Sequence, residues 1–130
     1  MAKKEVPSMD AWIREAKAQP EAGECGMFLF HNGVVRQTAR AQVRDGIDSA
    51  PVKGMLFSYD ASMAEQARQA ALNMTGIRYA RVWLNEGELS VGDDIMLVLL
   101  GGDTRPHVVD ALQFLVGELK GKCVSEKEVS

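Results

Sequence analysis

Residues 94–120 read DIMLVLLGGDTRPHVVDALQFLVGELK, and this stretch decides the fold. It opens on an unbroken apolar run, Ile95 to Leu100, breaks at Gly101-Gly102-Asp103-Thr104-Arg105-Pro106, and resumes with a different period. An apolar run of this length between turn formers reads as a strand covered on both faces. It is much shorter than the roughly 20 residues that cross a bilayer. After the break, Val108, Ala111, Leu112, Leu115 and Leu119 recur at three- and four-residue intervals and mark the buried stripe of a helix. Asp103 or Thr104 can cap that helix, and Pro106 suits its first turn. The expectation is a strand from Asp94 to Leu100, a tight junction, and a helix to about Lys120.

Working toward the amino terminus, Ser90 to Asp93 is a turn and Asn85-Glu86-Gly87 has the composition of a tight hairpin connection. Ile77 to Leu84 alternates as a strand. Ser62 to Asn73 reads as a helix with Met63, Ala67, Ala70 and Ala71 inward and Thr75-Gly76 as its stop. Val52 to Tyr59 is a strand, as is Gly26 to Phe30, continuing past Gly33 into Val34-Val35-Arg36. Ser8 caps a first helix to about Gln19, with Trp12, Ile13 and Ala16 on one face and Pro20 ending it. Between the two amino-terminal strands, residues 37–53 are polar, and Arg36, Arg40 and Arg44 stand four apart. This segment is expected to be a long loop, mobile in the free protein, with room for one helical turn. Residues 121–130 read as a short charged tail. Strands mixed with three helices, without regular βαβ alternation, give an α+β fold with a mixed or antiparallel sheet. Residues 1–130 form one domain, in which residues 1–25 are an amino-terminal helix and turn.

The bulk composition agrees. A chain of 130 residues suits one domain, which at this size buries roughly two-thirds of its unfolded surface. The 46% hydrophobic and 25% charged residues are those of a globular protein. A net charge of −3 argues against duplex nucleic acid as the main ligand, because phosphate backbones select a concentrated basic face. Cys25 and Cys123 lack any CxxC spacing, and Met1-Ala2-Lys3-Lys4-Glu5 leads into Pro7 rather than into an apolar signal region. The reading is a cytoplasmic protein with reduced thiols, no membrane span and no nucleic-acid partner.

Few residues suggest chemistry by themselves. The junction ending in Arg105 joins the open N–H groups of a helix start to a guanidinium fork, a combination that favours an anion. An ordinary strand-to-helix turn with a solvated arginine is the commoner use of such a segment. Lys120 and Lys127 can hold an anion or simply complement the helix dipole. Arg36, at the end of a strand, can do the first or be a surface charge. No Ser-His-Asp set is visible, and His31 and His107 have no metal-ligand spacing around them, so no metal and no cofactor is expected. Cys123, between Lys122 and Lys127, would have a depressed pKa if those cations act on it, although such a cysteine is more often incidental.

Together these positions resemble a known family. Gly26 through Arg36, then Val52, Met63-Ala64, Gly87-Glu88-Leu89 with Gly92-Asp93, and finally Arg105, Lys120 and Lys127 are similar to the large, catalytic subunit of molybdopterin synthase. The resemblance runs from about Gly26 to Glu128 and needs no gap from Gly87 to Lys127. It implies an α/β hammerhead fold and a sulfurtransferase that converts cyclic pyranopterin monophosphate to molybdopterin. The sulfur would come from the thiocarboxylated Gly-Gly tail of a small ubiquitin-like subunit. It also implies a homodimer that binds one small subunit at each end, a heterotetramer. The apolar strand Asp94 to Leu100 and its neighbours are expected to supply the dimer contact. By the same resemblance Lys120 and Lys127 are catalytic, and Arg36, Arg105, Thr104 and His107 bind substrate. Because a fifteen-residue helix is about 22 Å long, Arg105 is expected to reach the partner's site while Lys120, Lys127 and Arg36 share one chain.

The chain is a divergent member on this reading. Thr104 stands where the family has histidine, with His107 nearby, Leu84-Asn85 replaces a His-Arg pair, and Glu126 replaces a tryptophan. Ser58-Tyr59-Asp60 replaces Glu-Ala-Tyr. Two other readings follow from these differences: a non-catalytic paralogue serving as a dimeric binding or regulatory module, and an unrelated phosphate-binding domain. Convergence of the four cations on one cleft separates the synthase from the paralogue, and a neighbouring gene for a small protein ending in Gly-Gly separates both from the third reading.

Overall fold

The computed structural model describes residues 3–37, 46 and 51–129. The elements follow as α1 (Met9–Lys17), a 3-10 turn (Pro20–Glu24), β1 (Met27–Val34), β2 (Gly54–Tyr59) and α2 (Ala61–Leu72). Then come β3 (Ile77–Leu84), β4 (Gly87–Ser90), β5 (Asp94–Gly102), α3 (Arg105–Glu118), a π-helical turn (Leu119–Cys123) and β6 (Val124–Val129). Two three-stranded antiparallel sheets result, in the orders β1-β5-β3 and β4-β2-β6. No helix among the described residues is long and apolar enough to cross a membrane.

β5 is the centre of the first sheet, with Leu100 opposite Leu29 on one side and Ala80 on the other. Its side chains alternate between two cores. Leu97 and Leu99 pack with Trp12 and Ala16 of α1, while Met96, Val98 and Leu100 join the α2 and α3 residues Ala64, Ala71, Val108 and Leu115. Both faces are covered, so the run is apolar throughout instead of alternating. Burying each such side chain stabilises the fold by about 1.5–3 kcal/mol. This coverage narrows one expectation: from Ile95 on, β5 is buried in its own chain, so of the strand and its neighbours only the neighbours β1 and β3 are left to supply a dimer contact. Gly101 and Gly102, the last residues of β5, are explained by packing. A Cβ on Gly101 would stand 2.5 Å from the Phe28 ring, and one on Gly102 would stand 2.7 Å from the Gly76 carbonyl.

α1 starts at Ser8, whose Oγ accepts from the Ala11 N–H at 3.2 Å. α2 starts one residue earlier than the reading placed it, because Asp60 is the cap and accepts from the Met63 N–H at 2.9 Å. Its buried face is Ala64, Ala67 and Ala71, and Met63 and Ala70 are exposed. The stripe is therefore rotated from the expected one, since at 3.6 residues per turn 64, 67 and 71 align and 63 does not. Arg68 ties α2 to β3 by donating to the Ala80 carbonyl at 3.0 Å while pairing with Glu65 at 2.7 Å.

Two further readings change. Asn85-Glu86-Gly87 is no hairpin, because β3 and β4 belong to different sheets. Asn85 is buried there: its Nδ2 donates to the Asp94 carbonyl at 2.8 Å and its Oδ1 accepts from the Lys4 N–H at 2.8 Å. Lys4 Nζ donates to the Tyr59 hydroxyl at 2.7 Å and to the Leu84 carbonyl at 2.6 Å, so the amino-terminal arm binds both sheets together. Residues 124–129, taken for tail, form β6, which pairs along the whole of β2 from Gly54↔Val129 to Tyr59↔Val124. The expected mobile loop falls mostly outside the described residues. At its base, the Val52 N–H donates to the Gln37 carbonyl at 2.7 Å.

Candidate functional site

Lys120 stands on the π-helical turn that follows α3. Leu119, fully buried, anchors the start of the turn, and the Asp60 N–H donates to the Cys123 carbonyl at 2.8 Å to hold its end. Lys120 is exposed and sits on a backbone position fixed from both sides. Arg36 follows β1, immediately after buried Val35, whose N–H donates to the Asp93 carbonyl at 3.0 Å. These two cations, distant in sequence, line one cavity of about 60 Å³ with Val52, Met55, Ile95, Glu126 and Glu128. Its walls come from the sheet-to-sheet seam, and its volume corresponds to an anionic head group or a couple of waters, each about 30 Å³ in the liquid.

Lys127 goes elsewhere. β6 is a strand, so successive side chains alternate. Glu126 and Glu128 face the cavity of Arg36 and Lys120, whereas Ser125 and Lys127 face a broader depression on the outer side, with Leu56, Ser58 and Glu88. The presence of Glu126 and Glu128 in the cavity is something sequence reading missed. The signal was available in the 124–129 segment, had its alternation been read as a strand rather than as a tail.

Arg105, Thr104 and His107 lie at the opposite end of α3, whose 14 residues span about 21 Å. Arg105 is exposed. Neither Asp103 nor Thr104 caps the helix through its side chain: Thr104 is the N-cap residue, but its Oγ1 meets His107 Nδ1 at 3.4 Å instead of a backbone N–H, and Asp103 Oδ1 accepts from the Thr104 N–H at 2.5 Å. Asp103 Oδ1 also pairs with His107 Nδ1 at 2.7 Å, and this hydrogen bond holds the Asp103 carboxyl below its usual range. Within one chain, therefore, the structure brings together Arg36 and Lys120, and keeps Lys127 and the Thr104–His107 group away from them.

Other candidate groups take ordinary roles. Both cysteines are free, and burial pushes the Cys123 thiol up rather than down, so the expected activating effect of its lysine neighbours is outweighed. Among the described residues no three His, Cys, Asp or Glu side chains gather to hold a metal. His31, set aside in the sequence for want of a metal pattern, lies on β1 with its Nε2 buried and unpaired. Burial, and after it the charge of Lys120, lowers its pKa from the ordinary histidine value.

Known proteins share this architecture. Molybdopterin synthase from Staphylococcus aureus superposes with a TM-score of 0.71 at 16% identity, over 95% of this chain and 85% of that one. A molybdopterin biosynthesis MoaE protein from Burkholderia ambifaria gives 0.72 at 18% identity, over 97% and 79%. The complex of subunits 1 and 2 of molybdopterin-converting factor from Helicobacter pylori gives 0.66 at 16% identity, over 92% and 74%. At these identities the likeness is one of fold. No curated protein matches the sequence. The model of the MoaE protein family matches residues 3–122, nearly the whole chain, and the protein therefore belongs to the MoaE family.

Proposed function

We propose that the protein is the large, catalytic-type subunit of a molybdopterin synthase. It would convert cyclic pyranopterin monophosphate to molybdopterin with sulfur from the thiocarboxylate tail of a small ubiquitin-like subunit. Family membership supports a role in molybdenum cofactor biosynthesis. The observation that carries the finer reading is the convergence of Arg36 and Lys120 on one small cavity. Both proposed ligands are anionic at the atoms that must be held. A guanidinium fork suits a phosphate, and an ammonium on a rigid turn suits a thiocarboxylate whose carbon–sulfur bond is to break. When sulfur leaves for the pterin, oxygen from water restores the tail to a carboxylate, and Lys120 would exchange the protons involved.

In this reading the cavity takes the anionic head of the substrate, and the rest extends to groups outside it. Arg105, about 21 Å away along α3, is proposed to serve the site of a second copy in a homodimer. Lys127 then acts from the outer face of β6, where it would meet the incoming subunit rather than the phosphate. Sedimentation equilibrium should show a dimer at micromolar concentration, and a monomer alone at that concentration would refute this arrangement. The enzymatic reading is tested by mixing the chain with thiocarboxylated small subunit and cyclic pterin and assaying molybdopterin.

Two observations favour the second reading, a non-catalytic binding module: within one chain Lys127 and Arg105 do not join Arg36 and Lys120. In addition, Glu126 and Glu128 line the cavity of that pair and offset its positive charge. A chain that binds the small subunit's tail but gives no molybdopterin in the assay would establish that reading.

A further inference from the structure

The amino-terminal arm, residues 3–8, runs from the seam between the two sheets to the cap of α1. One end is fixed by α1, whose Trp12 and Ala16 are buried against Leu97 and Leu99. The other is fixed by Lys3 and Lys4. Lys4 Nζ donates to the Tyr59 hydroxyl at 2.7 Å, in the second sheet, and to the Leu84 carbonyl at 2.6 Å, in the first. It also stands 4.8 Å from the centre of the Tyr59 ring and 5.5 Å from that of Trp83. An ammonium that is part-buried over two rings is held more firmly than one in open solvent. The Lys4 N–H donates to Oδ1 of Asn85, a side chain only 2% exposed.

These contacts continue, bond by bond, to the backbone behind both cations of the cavity. On the first sheet the Asn85 N–H donates to the Ile95 carbonyl at 2.9 Å, and its Nδ2 donates to the Asp94 carbonyl at 2.8 Å. Ile95 is a wall of the cavity, and Asp94 lies opposite Val34, another wall. Lys3 pairs with Asp93 at 2.8 Å, and the Asp93 carbonyl accepts from the Val35 N–H at 3.0 Å. The Val35 carbonyl accepts in turn from the Gly92 N–H at 2.8 Å, and Arg36 is the next residue. On the second sheet Tyr59 ends β2 opposite Val124. Its neighbour Asp60 donates to the Cys123 carbonyl at 2.8 Å, at the end of the turn that carries Lys120. Lys4 and Tyr59 themselves line a separate depression beside Trp83 and Glu65, away from the cations.

We propose that the amino-terminal arm is a strap that sets the spacing of Arg36 and Lys120, with Lys4 as its principal positioning residue. The inference rests on reading the cavity between those cations as an anion site. Arg36 follows a strand of the first sheet and Lys120 precedes a strand of the second, so their spacing depends on how the sheets are joined. Two cations grip one small dianion well only when held within about 0.5 Å of the productive geometry. Lys4 bonds to both sheets at once and acts through the backbone, without touching the anion. Docking of the strap then tightens anion binding, and by reciprocity a bound anion tightens the strap.

The test measures amide hydrogen exchange, with and without sodium sulfate at constant ionic strength, in the native chain, Lys4→Met, Tyr59→Phe and Lys120→Met. Without sulfate, Lys4→Met should speed exchange at Val35, Gly92 and Asp60 by about fivefold or more beyond any change at Leu99. Leu99 is fully buried at the centre of the first sheet and reports global opening. Tyr59→Phe keeps the net charge and the ring, and should give the same pattern to a smaller degree. Adding it to Lys4→Met should change little, since both remove one contact. In calorimetric titration sulfate should bind Lys4→Met about fivefold or more weakly than the native chain, with Tyr59→Phe in between. Sulfate should also slow exchange of the Lys4 amide in the native chain but not in Lys120→Met. A merely structural arm would move Leu99 with the rest and leave the Lys4 amide indifferent to sulfate. Exchange at Val35, Gly92 and Asp60 that only follows Leu99 overturns the strap, and Tyr59→Phe decides this alone should Lys4→Met not fold. Sulfate binding unaffected by Lys120→Met would count against the anion reading of the cavity, while the amide comparison still decides the strap.

Discussion

At its amino-terminal end α3 presents Arg105 beside an Asp103–His107 pair, and at its carboxy-terminal end it gives way to a turn carrying Lys120 next to Arg36. Read in the sequence, the first end is the richer: a strand-to-helix junction, two glycines, a possible cap and an arginine. In the structure the glycines serve close packing, and Asp103 is engaged with His107 and Thr104. The second end has no motif at all, yet there a strand end, a helical turn and an edge strand meet around a cavity. A local motif predicts what its own backbone can do, whereas a site made by convergence depends on segments that know nothing of one another in sequence.

The comparison is broken most directly at Lys120. Lys120→Ala should lower molybdopterin formation by on the order of 10²–10⁴-fold, the scale of a lost proton-transfer group, with folding unchanged by circular dichroism. Retained turnover would mean that the carboxy-terminal end of α3 is not the reacting one. Arg105→Ala should also be inactive, and mixing it with Lys120→Ala under verified subunit exchange should restore partial activity. A mixture as inactive as its parents would show that the two ends do not complete each other across a dimer. Leu115, fully buried between them, keeps the helix in place for both. Leu115→Ala should cost about 2–5 kcal/mol in urea unfolding, and a smaller loss would show that the helix is not the common support.

The smallest effect sharpens the comparison from outside either end. Glu65, exposed on α2, has its carboxyl lowered from 4.5 to about 2, chiefly by the hydrogen bond from Arg68. A carboxyl whose folded pKa is depressed contributes stability above its unfolded value and loses it as pH falls through the folded one. The contribution should therefore be complete above about 4.5 and fade toward 2. Glu65→Gln should flatten acid unfolding in that window and cost less than about 1 kcal/mol at neutral pH, since the pair is solvent-screened. Turnover should be unaffected, which a global loss of structure would not allow.

Periodicity and turn chemistry made most of the elements legible before any coordinates: the buried β5, the α3 stripe through Val108, Ala111, Leu115 and Leu119, the Ser8 cap and the α+β class all follow from contacts within a few residues. The carboxy-terminal strand is hard to see in the sequence because half of its residues are charged and its alternation is short, and pairing with β2 is what makes it an edge strand instead of a tail. Asn85 was misread for a similar reason: hairpin and sheet-to-sheet crossover use the same turn residues, and the difference lies in which strand each arm pairs with. The resemblance placed Lys120 and Arg36 among the cations, yet their meeting, the separation of Lys127 and the burial of His31 were decided only by the tertiary fold. Propensity and capping are energies of neighbours in sequence, whereas the cavity is a product of strand register and helix length, quantities set when the whole core packs at once.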